Sequence, residues 1–172
     1  MLTQKIYFNN FKFKNIKNNK KISRFLGYLK KSPNEVLQSL SSNYKDSYSE
    51  KIIKKNKIYK NFRVIGMGGS ILGAKAIYNF LEPKFKNFQF IDNFSGNKKN
   101  KKKILNLIIS KSGNTLETVS NVSVLIKKKE KNIFITENKK SYLLELANRL
   151  KAEIISHNNY IGGRYSVLSE VG

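Results

Sequence analysis

The feature that most constrains the fold of this chain is an alternation of strand and helix signals that begins near residue 61. Short apolar runs are typical of buried strands, and segments of helical periodicity separate them. Strands arranged in this way predict parallel β-α-β units with right-handed crossovers. The apolar runs lie at Phe62–Met67, Phe88–Ile91, Ile104–Ile109, Ile133–Thr136 and Ala152–Ile155.

The segments between these runs predict helices at Ser70–Leu81, Thr115–Lys129 and Ser141–Leu150. We therefore expect an α/β fold: a three-layer αβα domain with a parallel sheet of about five strands. In such sheets ligands bind beyond the carboxyl ends of the strands. The loops at those ends are thus the places to look for a functional site.

Residues 1–60 predict a polar, mostly helical lead-in that precedes the sheet. The sequence Ser32-Pro33-Asn34-Glu35 is typical of a helix start, with Ser32 as the cap and Pro33 at the first helical position. Ile52 and Ile53 suggest another short helix. No residue of this lead-in indicates chemistry, so we assign the ligand-binding domain to residues 61–172.

The formal charge of +23 raises the question of a polyanionic partner. Lysine supplies nearly all of the positive charge, whereas nucleic-acid binders favour arginine, whose planar fork pairs with phosphates and guanine edges. Lysine, asparagine and isoleucine share A/T-rich codons, so genomic base composition accounts for their common excess. We expect no specific nucleic-acid partner; a nucleic-acid binder is an alternative that rests on charge alone.

Missing residue types exclude several classes of function. With no cysteine, the chain has no disulfide, no thiolate nucleophile and none of the usual zinc clusters. The sequence contains neither a recognisable signal peptide nor a run of about 18 apolar residues, the length of a membrane span. We expect no metal, no membrane association and a cytoplasmic location.

The first candidate loop is Gly66-Met67-Gly68-Gly69-Ser70-Ile71-Leu72-Gly73, at the junction of a strand and a helix. Glycines let backbone N–H groups approach an anion, and a helix start favours negative charge. Ile71 stands where a dinucleotide-binding loop has its third glycine, and the residues after Gly73 do not match the end of a nucleotide P-loop. The alternative is a tight turn without a ligand.

The second candidate loop is Ser110-Lys111-Ser112-Gly113-Asn114-Thr115, between the third strand and a helix. Its three hydroxyls, its glycine and the helix N-terminus can together surround a phosphate. Ordinary helix capping by Ser112 or Asn114 is the alternative. Because two such loops lie at equivalent ends of strands, we favour a phosphate site.

Three segments of the chain resemble the phosphoglucose (glucose-6-phosphate) isomerases. The first loop is similar to the family's Gly-Gly-Ser loop, and Ile109–Thr118 resembles its phosphate loop, which sugar-isomerase (SIS) domains share. Gly162-Gly163-Arg164-Tyr165-Ser166-Val167-Leu168-Ser169 resembles a signature of the glucose-6-phosphate isomerase branch. The segments come in the family's order within residues 62–172, so the resemblance implies that residues 61–172 form a SIS-type domain.

The resemblance implies the reversible conversion of glucose 6-phosphate to fructose 6-phosphate through an enediol, with no cofactor. Its partner is then a phosphorylated hexose, and the full-length enzyme is a homodimer. As catalytic residues it implies Arg164, which stabilises negative charge on the enediolate, and Glu117 in the same pocket. The residues implied to hold the phosphate or to lie beside the sugar are Ser70, Ser110, Lys111 through its backbone, Ser112, Thr115, Gly69 and Gly163.

The resemblance also places parts of the family's active site after the Gly-Gly-Arg segment. The proton-moving glutamate, the ring-opening histidine and a second SIS domain follow it there, so we expect this chain alone to bind substrate without isomerising it. His157 is accordingly interpreted as a loop residue rather than an acid–base group. The alternative function is a stand-alone SIS module that binds phosphosugars and regulates a partner; Glu117 and Gly162–Ser169 argue against it.

Overall fold

The computed structural model describes residues 20–32, 34–39, 43–81, 87–94 and 103–171. Five strands form one parallel sheet in the order β2-β1-β3-β4-β5. Parallel pairing is expected where a helix connects successive strands, as α4 does between β1 and β2, α5 between β3 and β4, and α6 between β4 and β5. The strands are β1 (Phe62–Ile65), β2 (Phe88–Ile91), β3 (Leu105–Ile109), β4 (Lys131–Thr136) and β5 (Glu153–Ser156).

Helices lie on both faces of this sheet. In the described part of the chain, three helices precede the sheet: α1 (Lys20–Lys31), α2 (Glu35–Gln38) and α3 (Glu50–Asn56), of which α3 contributes Ile52 to the packing on the sheet. The others connect or follow the strands: α4 (Gly69–Leu81), α5 (Leu116–Leu125), α6 (Tyr142–Arg149) and a 3₁₀ helix at Gly163–Leu168.

Two apolar cores separate the three layers. On one face of the sheet, Ile71 of α4 packs with Val64 and Ile109. On the other face, Val122 of α5 and Leu143 of α6 pack in the core that contains the strand residues Ile65, Ile108 and Phe134. Strands buried on both faces have near-continuous apolar sequences, as β3 does. The predicted α/β class and five-stranded parallel sheet are confirmed.

The described part of the lead-in contains α1, α2 and α3, but the predicted helix start at Ser32 is wrong. α1 extends to Lys31, and Ser32 donates its backbone N–H to Leu29. The cap of the next helix is Asn34, whose side-chain oxygen accepts from the backbone N–H groups of Val36 and Leu37 at 3.0 and 3.3 Å. The predicted position of Pro33 lies outside the described residues.

The predicted strands and helices of the sheet region lie where the sequence indicates, apart from one helix end. The helix predicted over Thr115–Lys129 stops at Leu125, and Ile126 is already extended. In the described part of the chain, no helix combines the length and the apolar character needed to cross a bilayer. The division into residues 1–60 and 61–172 stays a prediction.

Candidate functional site

The chain changes direction across the sheet between β1 and β3. From β1 it passes to β2 on one side, and from β3 it passes to β4 on the other. Because Ile65 of β1 is paired with Ile108 of β3, the loops that follow these neighbouring strands emerge side by side. A crevice at such a switch point is the usual ligand site of open parallel sheets, and both loops predicted to bind an anion lie there.

The first loop is packed so closely that it needs its glycines. A Cβ on Gly66 would lie 3.0 Å from the carbonyl oxygen of Ile109, at the start of the second loop. Gly68 has a φ of +55°, in the left-handed region that favours glycine. A Cβ on Gly69 would lie 2.7 Å from the Cα of Gly163 and would collide with that residue's carbonyl group. The loop thus contacts the two other candidate segments through bare backbone.

The second loop turns its hydroxyls toward one another. The Oγ of Ser110 lies 3.0 Å from the Oγ1 of Thr115, and it also accepts the N–H of Gly113 at 3.2 Å. Ser110 is buried, Thr115 is half-buried and Ser112 is exposed, with its Oγ accepting the N–H of Asn114 at 3.3 Å. Two of the three hydroxyls of this loop therefore form a preorganised pair, and the third lies at the rim.

The capping alternative for this loop is wrong. The N-cap of α5 is Thr115, and its side chain makes no capping hydrogen bond. Asn114 does cap a helix, but the oxygen of its side chain accepts the N–H of Tyr142 in α6 at 2.9 Å. Among the described residues no side chain caps the first turn of α5, whose N–H groups and dipole favour an anion.

Gly113 holds the second loop against α6. Its φ is +68°, and a Cβ there would lie 2.7 Å from the Cβ of Ser141 and 3.0 Å from the Oγ1 of Thr136. Its carbonyl oxygen accepts the N–H of Leu143. The sequence motif alone did not show that this glycine also serves the packing of the following helix.

The third segment packs onto the first loop. The Oγ of Ser166 is within 3.0 Å of the carbonyl oxygen of Gly69 and within 2.8 Å of that of Gly163, so its O–H bridges the two segments. A Cβ on Gly73 of α4 would lie 3.0 Å from the Cα of Val167. The 3₁₀ helix therefore lies directly against α4.

Lys111 joins the second loop to the third segment through its side chain. Its Nζ lies 3.6 Å from the Oε1 of Glu137, and its Cδ and Nζ would each lie 3.1 Å from a Cβ on Gly162. Sequence reasoning assigned Lys111 a backbone role only, and it missed Ser166. Both residues lie within the quoted motifs, so their place in those motifs is the signal by which their contacts could have been predicted.

The three predicted segments thus meet at one edge of the sheet. Glu117 is the second residue of α5 and is half-buried, and Ser70 is the second residue of α4. Gly163 has a φ of +57° and begins the 3₁₀ helix, in which Arg164 follows it. The side chain of Arg164 lies outside the described part of the chain.

A cavity elsewhere in the molecule is not this site. Its volume is about 400 Å³, and it lies between α3 and the sheet, lined mainly by apolar side chains. Its strand residues include Phe62 and Leu105, the first residues of β1 and β3, and its lining also includes Ser169 and Glu170, which follow the 3₁₀ helix. No residue of the two anion loops lines it.

Known proteins are similar to this chain over most of its length. No protein-family model matches the chain. A glucose-6-phosphate isomerase of Methanocaldococcus jannaschii is 41% identical, in a match that covers 73% of this chain and 35% of that enzyme. The enzyme of the same name from Borreliella afzelii is 34% identical, with 91% of this chain and 33% of its own length covered. That of Acholeplasma laidlawii is 34% identical, with 86% of this chain and 39% of its own length covered.

Solved structures share the fold. A hypothetical protein of Thermus thermophilus superposes with a TM-score of 0.64 at 22% identity, over 89% of this chain and 44% of that protein. The Vibrio vulnificus NanR protein, solved in complex with ManNAc-6P, superposes with a TM-score of 0.51 at 18% identity, over 72% of this chain and 47% of that protein.

The curated relatives confirm the resemblance seen in the sequence. Their identity extends over most of this chain, whereas the chain spans only about a third of their length. By sequence, the chain belongs to the glucose-6-phosphate isomerase family and corresponds to an amino-terminal portion of its members.

Proposed function

We propose that this chain is the part of a glucose-6-phosphate isomerase that binds the substrate's phosphate group. The observation that supports this most is the start of α5, where Thr115 makes no capping bond, beside the paired hydroxyls of Ser110 and Thr115. A phosphate placed there accepts hydrogen bonds from the hydroxyls and from the first backbone N–H groups of the helix. Ser112 and Ser70 extend the same polar surface at the carboxyl edge of the sheet.

The sugar extends from the phosphate toward the third segment. Gly163 contributes a positive φ and no side chain, which lets backbone and substrate approach closely. Arg164 follows it, and its permanent positive charge is suited to an enediolate, on which negative charge develops during aldose–ketose isomerisation. Glu117, in the first turn of α5 and two residues after Thr115, lines this pocket in the proposal.

The remaining assignments follow from the same proposal. Residues 61–172 are the SIS-type domain and residues 1–60 its helical lead-in. The partner is a phosphorylated hexose, the full-length enzyme is a homodimer, and the compartment is the cytoplasm, where glucose 6-phosphate is converted in glycolysis and gluconeogenesis. The support is the shared identity with enzymes named glucose-6-phosphate isomerase.

Calorimetry with fructose 6-phosphate tests the phosphate site. The double variant Ser110→Ala/Thr115→Val removes both hydroxyls, and we expect its affinity to fall by about tenfold or more, the worth of one to two charge-assisted hydrogen bonds. Thr115 makes no capping bond, so the valine leaves the helix start intact.

The matched control is Ser123→Ala, on the exposed side of the same helix, where the hydroxyl donates to Val119. Its affinity should equal that of the unmodified chain. Equal affinity in the double variant would place the phosphate elsewhere.

A further inference from the structure

A buried polar cluster lies behind the third segment, apart from the site described above. His157 is 4% exposed and Glu170 is 7% exposed. The Nδ1 of His157 lies 2.8 Å from the Oε1 of Glu170, which also accepts the N–H of Asn158 at 3.1 Å. The O–H of Tyr44 donates to the Oε2 of Glu170 at 2.9 Å. From the sequence His157 is expected to be a plain loop residue, so this burial and pairing are new.

The hydrogen bonds fix the charge of both partners. The Nε2 of His157 lies 2.8 Å from the carbonyl oxygen of Ile161, which can only accept, so Nε2 holds a proton. Glu170 accepts from a backbone N–H and from a phenol, as an ionised carboxylate does. Nδ1 must therefore also donate, and His157 is an imidazolium paired with a carboxylate.

The pKa values of Glu170 and Tyr44 agree with an ionised carboxylate at Glu170. Burial alone raises the pKa of Glu170, but the hydrogen bonds from His157, Tyr44 and the backbone outweigh it and lower the pKa to about 2. Burial, together with the bond to the ionised Glu170, raises the pKa of Tyr44 to about 12. Tyr44 consequently remains a donor at neutral pH.

The pair connects both ends of the third segment to the sheet. The backbone N–H of His157 donates at 2.9 Å to Thr136, the last residue of β4. Its ring Nε2 donates to the carbonyl oxygen of Ile161, the residue just before Gly162. Glu170 lies two residues after the end of the 3₁₀ helix. The ion pair thus joins the chain segment before the turn that carries Gly163 and Arg164 to the segment after it.

We propose that His157 and Glu170 are positioning residues: their buried ion pair holds the Gly162–Gly163–Arg164 turn over the two anion loops. This inference rests on the proposed function, because positioning matters there for the sugar. A buried ion pair adds little net stability compared with apolar side chains, since desolvation offsets the attraction. What it specifies is a single arrangement of the groups that it joins.

The first test observes the pair itself in the unmodified, ¹⁵N-labelled chain. His157 is the sole histidine, so its ring signals need no assignment. NMR should show two ring N–H protons protected from solvent at neutral pH, the signature of a buried imidazolium. A ring that carries only one proton overturns the proposal.

The second test separates positioning from stability. Glu170→Gln keeps the shape and removes the charge, and the matched control is Glu153→Gln, which breaks the ion pair of Glu153 with Lys131 at the opposite edge of the sheet. For Glu170→Gln we expect affinity for fructose 6-phosphate to fall by at least about fivefold, with affinity for inorganic phosphate unchanged. Glu153→Gln should leave both affinities unchanged.

The possible results of the second test distinguish failure of the positioning role from failure of the proposed function. If Glu170→Gln loses affinity for both ligands equally, or keeps its affinity for both, the positioning role is overturned. If the unmodified chain binds neither ligand, the proposed function fails while the pair remains testable. In that case the amide signals of Gly162 and Gly163 must shift in Glu170→Gln and stay in place in Glu153→Gln. If Glu170→Gln does not fold, Tyr44→Phe removes one hydrogen bond to the carboxylate instead. This variant should lower the affinity for fructose 6-phosphate and leave that for inorganic phosphate unchanged.

Discussion

At the scale of single residues, the site depends on positions that only glycine can occupy. Gly68 and Gly113 both have positive φ, but their surroundings differ. Nothing lies within 4 Å of a Cβ on Gly68, whereas a Cβ on Gly113 would collide with Ser141. Backbone strain and steric crowding can therefore be separated by comparing the two.

We predict that Gly68→Ala lowers the free energy of unfolding by about 1 kcal/mol, the cost of a left-handed alanine. Gly113→Ala should lower it by about 1–3 kcal/mol more, because overpacking adds to the strain. Urea unfolding measures both variants. Equal costs would show that Ser141 moves aside freely and that the loop is not held by α6.

At the scale of secondary-structure elements, one ion pair joins the starts of two strands. The Nζ of Lys131 in β4 lies 2.6 Å from the Oε2 of Glu153 in β5. The hydrogen bond from Lys131 lowers the pKa of Glu153, against an opposing effect of burial. A carboxyl group whose pKa is lowered by folding stabilises the native state above its usual value of 4.5, and this contribution is lost as the pH falls below that value.

Glu153→Gln should therefore cost up to about 1 kcal/mol at neutral pH, typical of a partly exposed pair. At acidic pH, where both chains lack the charge, the two should be equally stable. Unfolding curves at several pH values measure this difference. A cost that persists unchanged in acid would mean that the amide packs badly and that the charge contributes nothing.

The end of α5 is a feature that the sequence predicted wrongly. Periodicity predicted α5 to Lys129, yet the helix ends at Leu125. The carbonyl oxygen of Leu125 accepts from the buried guanidinium of Arg63 at 3.0 Å, and Asn132 donates to the carbonyl group of Lys127. Both partners are strand residues outside the helix, so no pattern within the helix itself could indicate this end.

In the lead-in, by contrast, the wrong prediction of a helix start at Ser32 arises from neighbouring residues. Ser32 and Asn34 are both good cap residues, and the sequence favoured the first of them. Because α1 extends to Lys31, Ser32 terminates that helix instead of beginning the next. A cap signal cannot be ranked against another one without knowing where the preceding helix stops.

At the scale of the whole molecule, the order of the strands brings the functional loops together. The predicted strands and helices imply a parallel sheet, and the glycine and hydroxyl loops imply an anion site at its carboxyl edge. The contact of Gly69 with Gly163 and the pairing of His157 with Glu170 depend on how distant segments pack. Sequence patterns identify the loops, therefore, but not the contacts between them.

We predict that the purified chain binds fructose 6-phosphate without converting it to glucose 6-phosphate. Isomerisation needs a base within hydrogen-bond reach of a carbon-bound proton. The hydroxyls of the loops are too weak for this, Arg164 stays protonated, and Glu117 is assigned beside the pocket. A coupled assay for glucose 6-phosphate should show no turnover; turnover that Glu117→Gln abolishes would identify Glu117 as the base.

The central claim is that the loops after β1 and β3 and the Gly162–Arg164 turn form one phosphosugar site. It is tested most directly by titrating the ¹⁵N-labelled chain with fructose 6-phosphate and mapping the amide shifts. We expect the largest shifts at Gly66–Ser70, at Ser110–Thr115 and at Gly162–Gly163, with little change around α3 and the apolar cavity. Shifts confined to the α3 face, or absent at millimolar ligand, would contradict the account.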